Sequence, residues 1–196
     1  MTEDNPLYRE SDQPTVRRVA DLLDRMTLEE KAGQVVGTWA GERGETLDIP
    51  AVRDAITEHG FGSVAAFGWA GAAVSTPRGI VEAVNTLQET AMEETRLGIP
   101  LLFTVDAVHG HAYVEDATVF PNGLGAAATW DPALIERSAT VTAREIRATG
   151  AHQNYSPTCD VAREPRWGRV QETHGESPRL AADLAAAKVR GYQGEG

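Results

Sequence analysis

Apolar positions along the chain follow two alternating patterns, one at helical spacing and one in short continuous runs. From Thr15 to Arg25 the apolar residues Val16, Val19, Ala20, Leu22 and Leu23 form a stripe that predicts a helix able to face a core. Thr27 and Glu30 then have the spacing of a capping box, in which hydroxyl and carboxylate satisfy each other's unpaired amides. Gln34 to Trp39 is a candidate strand. Ala51 to His59 reads as a helix bracketed by Pro50 and Gly60, and Ser63 to Phe67 as a second, buried strand. A long helical pattern runs from Pro77 to Leu97 and is closed by Gly98 and Pro100. Leu101 to Val105 is a third strand, and Asp131-Pro132 opens a helix that runs to about Thr149. His152 to Ser156 is a fourth strand candidate, followed by an Ala-rich helix from Ser177 to Gly191.

Strands alternating with long helices predict βα units on a parallel sheet, which either lies open and doubly wound or closes into a barrel. No glycine-rich phosphate turn follows any candidate strand, which weakens the nucleotide-binding open sheet. The reading is therefore an α/β chain whose pattern favours a TIM-type (β/α)8 barrel over the open sheet, either small and complete or partial, the front half with alternating strands and helices. Residues 1–14 make a polar arm and residues 15–196 the barrel portion. With 196 residues the chain is shorter than the roughly 250 typical of a whole barrel.

Composition narrows the classes of partner. Hydrophobic residues make up 41% and charged residues 24%, as in ordinary globular domains. A formal net charge of -11 disfavours nucleic acid and anionic membrane surfaces and leaves neutral substrates unaffected. With the single Cys159 there is no intramolecular disulfide, and the polar, acidic start Met1 to Asp12 lacks a secretory signal, so the expected location is the cytoplasm. Asn154-Tyr155-Ser156 spells a glycosylation sequon, taken as accidental on the same ground.

Chemistry concentrates where strands end. The run Leu101 to Val105 delivers Asp106, followed by His109 and His111. Asp106 there is either a loop-capping carboxylate or an acceptor for neighbouring sugar hydroxyls, since an ionised carboxylate only accepts. His109 and His111 are either supports of the loop or a metal pair of the kind placed at the mouth of hydrolase barrels. Further on, Asp160 to Glu172 carries Arg163, Arg166, Arg169, Trp167 and several carboxylates, stiffened by Pro165 and bent at Gly168. This segment is either an exposed salt-bridge loop or a device that aims the Arg169 guanidinium at a polyol.

These segments together resemble the family-3 glycoside hydrolases, in particular their β-glucosidase and exo-β-glucanase branch. Met26-Thr27-Leu28-Glu29-Glu30-Lys31 is similar to the family's opening. Gly98-Ile99-Pro100-Leu101-Leu102 leading to Val105-Asp106-Ala107-Val108-His109-Gly110 is similar to its first substrate-binding strand. Phe120-Pro121, Thr129-Trp130-Asp131-Pro132 and Glu145 to Gly150 resemble the helix that follows, and Arg163 to Arg169 with Glu172 its arginine loop. The likeness extends from about Val16 to Gly194, with Glu164 as a minor departure at the acidic position before the loop's proline.

The resemblance implies hydrolysis of terminal non-reducing β-D-glucosyl residues from β-glucosides or β-glucans by a retaining two-carboxylate mechanism. It implies that Asp106 and Arg169 hold hydroxyls of the glucosyl unit, with Arg163, Glu172 and His109 in support and no cofactor. It places the family's Lys-His pair, its nucleophilic Asp and its acid/base beyond Gly196, with the second half of the barrel and a following domain as the missing partners, so this chain alone is expected to be inactive. Two other readings stay open: a metal-dependent hydrolase on an α/β barrel using His109 and His111, and a non-catalytic sugar-binding module.

Overall fold

A computed structural model of the chain describes residues 6–39, 48–67 and 76–194. A 3-10 turn, Leu7–Arg9, precedes helices α1 (Thr15–Arg25) and α2 (Leu28–Gln34), then strand β1 (Gly37–Trp39), α3 (Ile49–His59) and β2 (Ser63–Phe67). After these come α4 (Pro77–Glu93), β3 (Leu102–Val105), α5 (Gly123–Ala127), α6 (Pro132–Ala148), β4 (Gln153–Asn154) and α7 (Pro178–Gln193). No helix among the described residues is long and apolar enough to cross a membrane.

Helix starts follow from local chemistry. The Thr27 backbone amide donates to the Glu30 carboxylate at 2.9 Å and the Glu30 amide to Thr27 Oγ1 at 3.2 Å, completing the capping box. Asp131 accepts from the Leu134 amide at 3.0 Å ahead of Pro132, and Ser177 caps α7 in the same way. Gly60 ends α3 in the left-handed region, at φ 63°. Helix α4 stops four residues before the expected Leu97. The Thr95 hydroxyl donates to the Ala91 carbonyl at 2.5 Å and accepts from the Gly98 amide at 3.2 Å, folding the chain into a turn instead of another helical coil.

The four strands are all parallel and lie in the order β1-β2-β3-β4, with Gly37 beside Ser63, Val64 beside Phe103 and Thr104 beside Gln153. Each strand pairs with the one just before it in sequence. A doubly wound sheet would reverse direction at a switch point. These four do not, and the fold is the front part of a (β/α)8 barrel. Strand β2 has the bounds read from the sequence, while the other three are shorter: Gln34 belongs to α2, β3 begins at Leu102, and the run His152 to Ser156 contributes only Gln153 and Asn154 to the ladder.

The main core lies between the sheet and its helices. Val52 and Ile56 of α3 and Ile80, Val84 and Leu87 of α4 close over Val64, Phe103 and Val105 of the strands. The Gln88 side chain ties α4 to the start of β3, accepting from the Leu101 amide at 2.9 Å and donating to its carbonyl at 2.8 Å. The α1 stripe departs from expectation, for Val16 is 81% exposed and Val19 and Leu23 are also exposed. Helix α1 is held through polar groups instead: Asp21 accepts from the Tyr8 amide and Arg18 donates to the Tyr8 carbonyl, both at 3.0 Å, while the Tyr8 hydroxyl reaches the Leu97 carbonyl at 2.6 Å.

Helices α6 and α7 approach so closely that a Cβ on Gly191 would meet the Glu136 carbonyl and the Ala139 side chain. Gly191→Ala should therefore destabilise the fold by about 1–3 kcal/mol through overpacking. Helix propensity alone predicts a gain of up to about 1 kcal/mol. Chemical denaturation reads the sign, and a stabilised variant would refute the close-packing account.

Candidate functional site

The site is built outward from the end of β3. Leu101, Phe103, Thr104 and Val105 are buried, so this central strand is fixed by its core side chains and delivers Asp106 to the carboxyl edge of the sheet. The next residue is gripped by β4. Asn154 Oδ1 accepts from the Ala107 amide at 2.9 Å, and Asn154 Nδ2 donates to the Ala107 carbonyl at 3.0 Å. Helix α7 holds the same turn from another side. Lys188 Nζ donates to the Val108 carbonyl at 2.5 Å, and the Tyr192 hydroxyl donates to Ser156 Oγ at 2.9 Å and lies 3.4 Å from the Ala107 carbonyl. Burial pushes the Tyr192 hydroxyl up to about 12, so it remains a donor.

Sequence reasoning missed Asn154, Lys188 and Tyr192 as members of this assembly. Only Asn154 left a trace, as a polar amide closing a short strand. Its role also bears on the sequon, because that amide is engaged with the Ala107 backbone on both sides.

The arginine loop ends in a 3-10 turn, Val170–Glu172, which brings Glu172 back onto Arg169. Arg169 Nε meets Glu172 Oε1 at 2.9 Å and Nη2 meets Oε2 at 2.6 Å, a bidentate pair that does not use Nη1. An ion pair this exposed adds little stability, so its consequence is orientation of the guanidinium. Asp106 lies in the field of both groups. Burial raises its carboxyl above the ordinary aspartate range, the Glu172 carboxylate adds to the rise, and Arg169 and His109 oppose it. Tyr113, a residue not anticipated, shares this neighbourhood: its hydroxyl is raised by burial and by the carboxylates of Asp106 and Glu172. Asp106, His109, Tyr113, Arg169 and Glu172 thus share one electrostatic neighbourhood at the carboxyl end of the sheet.

Two expectations need correction. His109 and His111 do not act as a pair, because Gly110 between them takes φ 102° and the chain bends there. His111 is buried with Nε2 at 2.9 Å from Thr149 Oγ1, and burial lowers its basicity. No group of three or more metal-ligating side chains forms among the described residues. Arg163, expected to brace the loop, is exposed, and its guanidinium makes no hydrogen bond or ion pair among the described residues. The adjacent carboxylate of Glu164 is taken by Arg166, whose amide, Nε and Nη2 reach it at 2.9, 2.8 and 2.7 Å. Those bonds hold the Glu164 carboxyl down at about 2.

Residues 27–196 match the model of the glycosyl hydrolase family 3 N terminal domain. The chain is 35% identical over 200 residues to beta-glucosidase C of Emericella nidulans, covering 97% of this chain and 32% of that enzyme. It is 35% identical over 202 residues to the periplasmic beta-glucosidase/beta-xylosidase of Dickeya chrysanthemi, covering 96% of this chain and 29% of that protein. Among solved structures, the exo-1,3/1,4-beta-glucanase of a Pseudoalteromonas species superposes with a TM-score of 0.78 at 32% identity, over 93% of this chain and 22% of that one. The chain thus spans about a third of the length of the curated relatives named here.

The hold of Asn154 on Ala107 can be tested alone. Asn154→Ala leaves a backbone donor and an acceptor unsatisfied and should cost about 1–3 kcal/mol in urea denaturation. Amide exchange at Ala107 should quicken with it, and an unchanged midpoint with unchanged exchange would show that the turn is held by other contacts.

Proposed function

The chain belongs to glycosyl hydrolase family 3, and on that footing we propose that it carries the sugar-holding side of an enzyme that removes terminal non-reducing β-D-glucosyl residues from β-glucosides or β-glucans. The observation that carries this reading is the shared electrostatic field of Asp106 and Arg169 at the carboxyl edge of the sheet. A carboxylate that only accepts and a guanidinium with a free Nη1 offer complementary partners to vicinal hydroxyls, which both donate and accept. Glu172 sets the guanidinium plane, and His109 and Arg169 help to keep Asp106 ionised.

The proposed reaction is retaining. One carboxylate attacks the anomeric carbon, a second carboxyl protonates the departing oxygen, and water resolves the glycosyl-enzyme. Asp106 is assigned to neither step. It grips the glycone, and its hydrogen bonds strengthen as the ring flattens toward an oxocarbenium-like state. Names of relatives support the substrate class: a beta-glucosidase and an exo-acting beta-glucanase both match nearly the whole of this chain.

In an enzyme containing this chain, Asp106→Ala should lower kcat/KM for 4-nitrophenyl β-D-glucoside by at least about 100-fold, some 2.7 kcal/mol. Wild-type kinetics from that variant would refute the assignment. Because the acceptor role needs the ionised form, and Asp106 titrates above the ordinary value of 3.8, binding should weaken on acidification while the pH is still above that value. Arg169→Met removes a cation that lowers the Asp106 pKa, so the acid limb should move to still higher pH. An acid limb unmoved by this change would break the proposed coupling. The purified 196-residue chain, whose Asp106 and Arg169 bind but do not cleave, should release no nitrophenol; steady release would overturn that division of labour.

A further inference from the structure

A cavity of about 350 Å³ lies between α5, α6, α7 and the turn Val108–Gly110, and neither Asp106 nor Arg169 lines it. That volume falls within the roughly 300–1,000 Å³ of small-molecule sites. Its walls are largely apolar, with Phe120, Leu134 and Val141 along one side. Its hydroxyls and the Lys188 ammonium have partners, but imidazole nitrogens of two histidines do not. His174 is 1% exposed, and neither of its ring nitrogens has a hydrogen-bond partner of proper geometry. The Thr158 backbone, the weakest of the influences on its basicity, falls outside that geometry. His109 Nδ1 is likewise buried and unpartnered. The Lys188 ammonium donates to the Val108 carbonyl and forms no ion pair among the described residues.

Charge around the cavity runs against the rest of the molecule. The chain has 29 acidic and 18 basic residues, yet Lys188 and Arg137 line this space and no Asp or Glu among the described residues does. Burial brings the Lys188 amine down to about 8, which leaves it mostly protonated at neutral pH. Burial and the neighbouring Lys188 lower His174, keeping its imidazole neutral with one N–H to donate and one nitrogen to accept. A buried ammonium with spare protons and an orphaned imidazole N–H are costly unless an acceptor meets them.

We propose that this cavity binds a small organic anion, an apolar ring or chain carrying one carboxylate, with the carboxylate seated between Lys188 and His174 and the apolar body against Phe120, Leu134 and Val141. The site adjoins the proposed sugar-holding mouth, with His109 between the two, and does not rest on the glycoside reading. An inorganic anion would satisfy the cation but leave the apolar walls empty.

Benzoate is the probe, with benzyl alcohol and inorganic phosphate as comparators, titrated into the 196-residue chain labelled with ¹⁵N-histidine. The His174 ring resonances should shift saturably with benzoate at a Kd of about 1 mM or below. Lys188→Met should weaken benzoate at least about tenfold and leave benzyl alcohol unchanged. Several results would overturn the proposal: His174 resonances that stay still in the wild-type chain, benzoate bound equally by Lys188→Met, or phosphate bound as tightly as benzoate. The wild-type titration decides the matter even if the variant does not fold. A crystal grown with benzoate that shows only ordered water on His174 would equally refute it.

Discussion

An ionised carboxylate at the tip of a buried strand has to be compensated, and much of this molecule is arranged around how Asp106 is compensated. The strand is fixed by Phe103 and Val105 in the core, which leaves the carboxyl at its end half-buried. Arg169 and His109 favour its charged form, while Glu172 pulls the other way. Glu172 also holds the guanidinium in place, so one carboxylate aims the cation that serves the other. The result is a carboxyl whose proton affinity is raised by burial and by Glu172 and held back by Arg169 and His109.

Helix α7 links this balance to the body of the protein. Its buried side, Ala181, Leu184, Ala187 and Gly191, packs into the interior, and Gly191 permits contact with the α6 backbone. One turn apart on the same helix, Lys188 and Tyr192 hold the backbone just after Asp106. Helix packing and site geometry are therefore set by one rigid element, and a shift of α7 along α6 would be felt at the Asp106 turn.

Much of this is legible in the sequence because capping is local. Thr27 with Glu30, Asp131 with Pro132 and Ser177 with Pro178 sit within a few residues of each other, and these pairs, like Pro50 and Gly60 at the two ends of α3, mark helix boundaries that the structure bears out. Asp106 and Arg169 are legible as chemistry stranded in apolar or stiffened surroundings. Some strands read too long because residue type does not report which backbone groups join the ladder, as at buried Leu101 and exposed His152, both just outside their strands. Asn154, Tyr192 and Lys188 are not legible as site residues, since their partners lie 47, 85 and 80 positions away and no spacing rule connects them. Arg163 misleads for the reverse reason: three arginines in one loop compete for few carboxylates, and only distances show which of them wins.

The sequential order of the four strands also has a consequence for how the protein is made. Each of the later three strands finds its partner strand already synthesised, so these pairings do not wait for a segment still on the ribosome. A single stretch of helix and loop separates each strand from its partner, which limits the entropic barrier to each pairing. Assembly can thus keep pace with translation, one βα unit laid against the last.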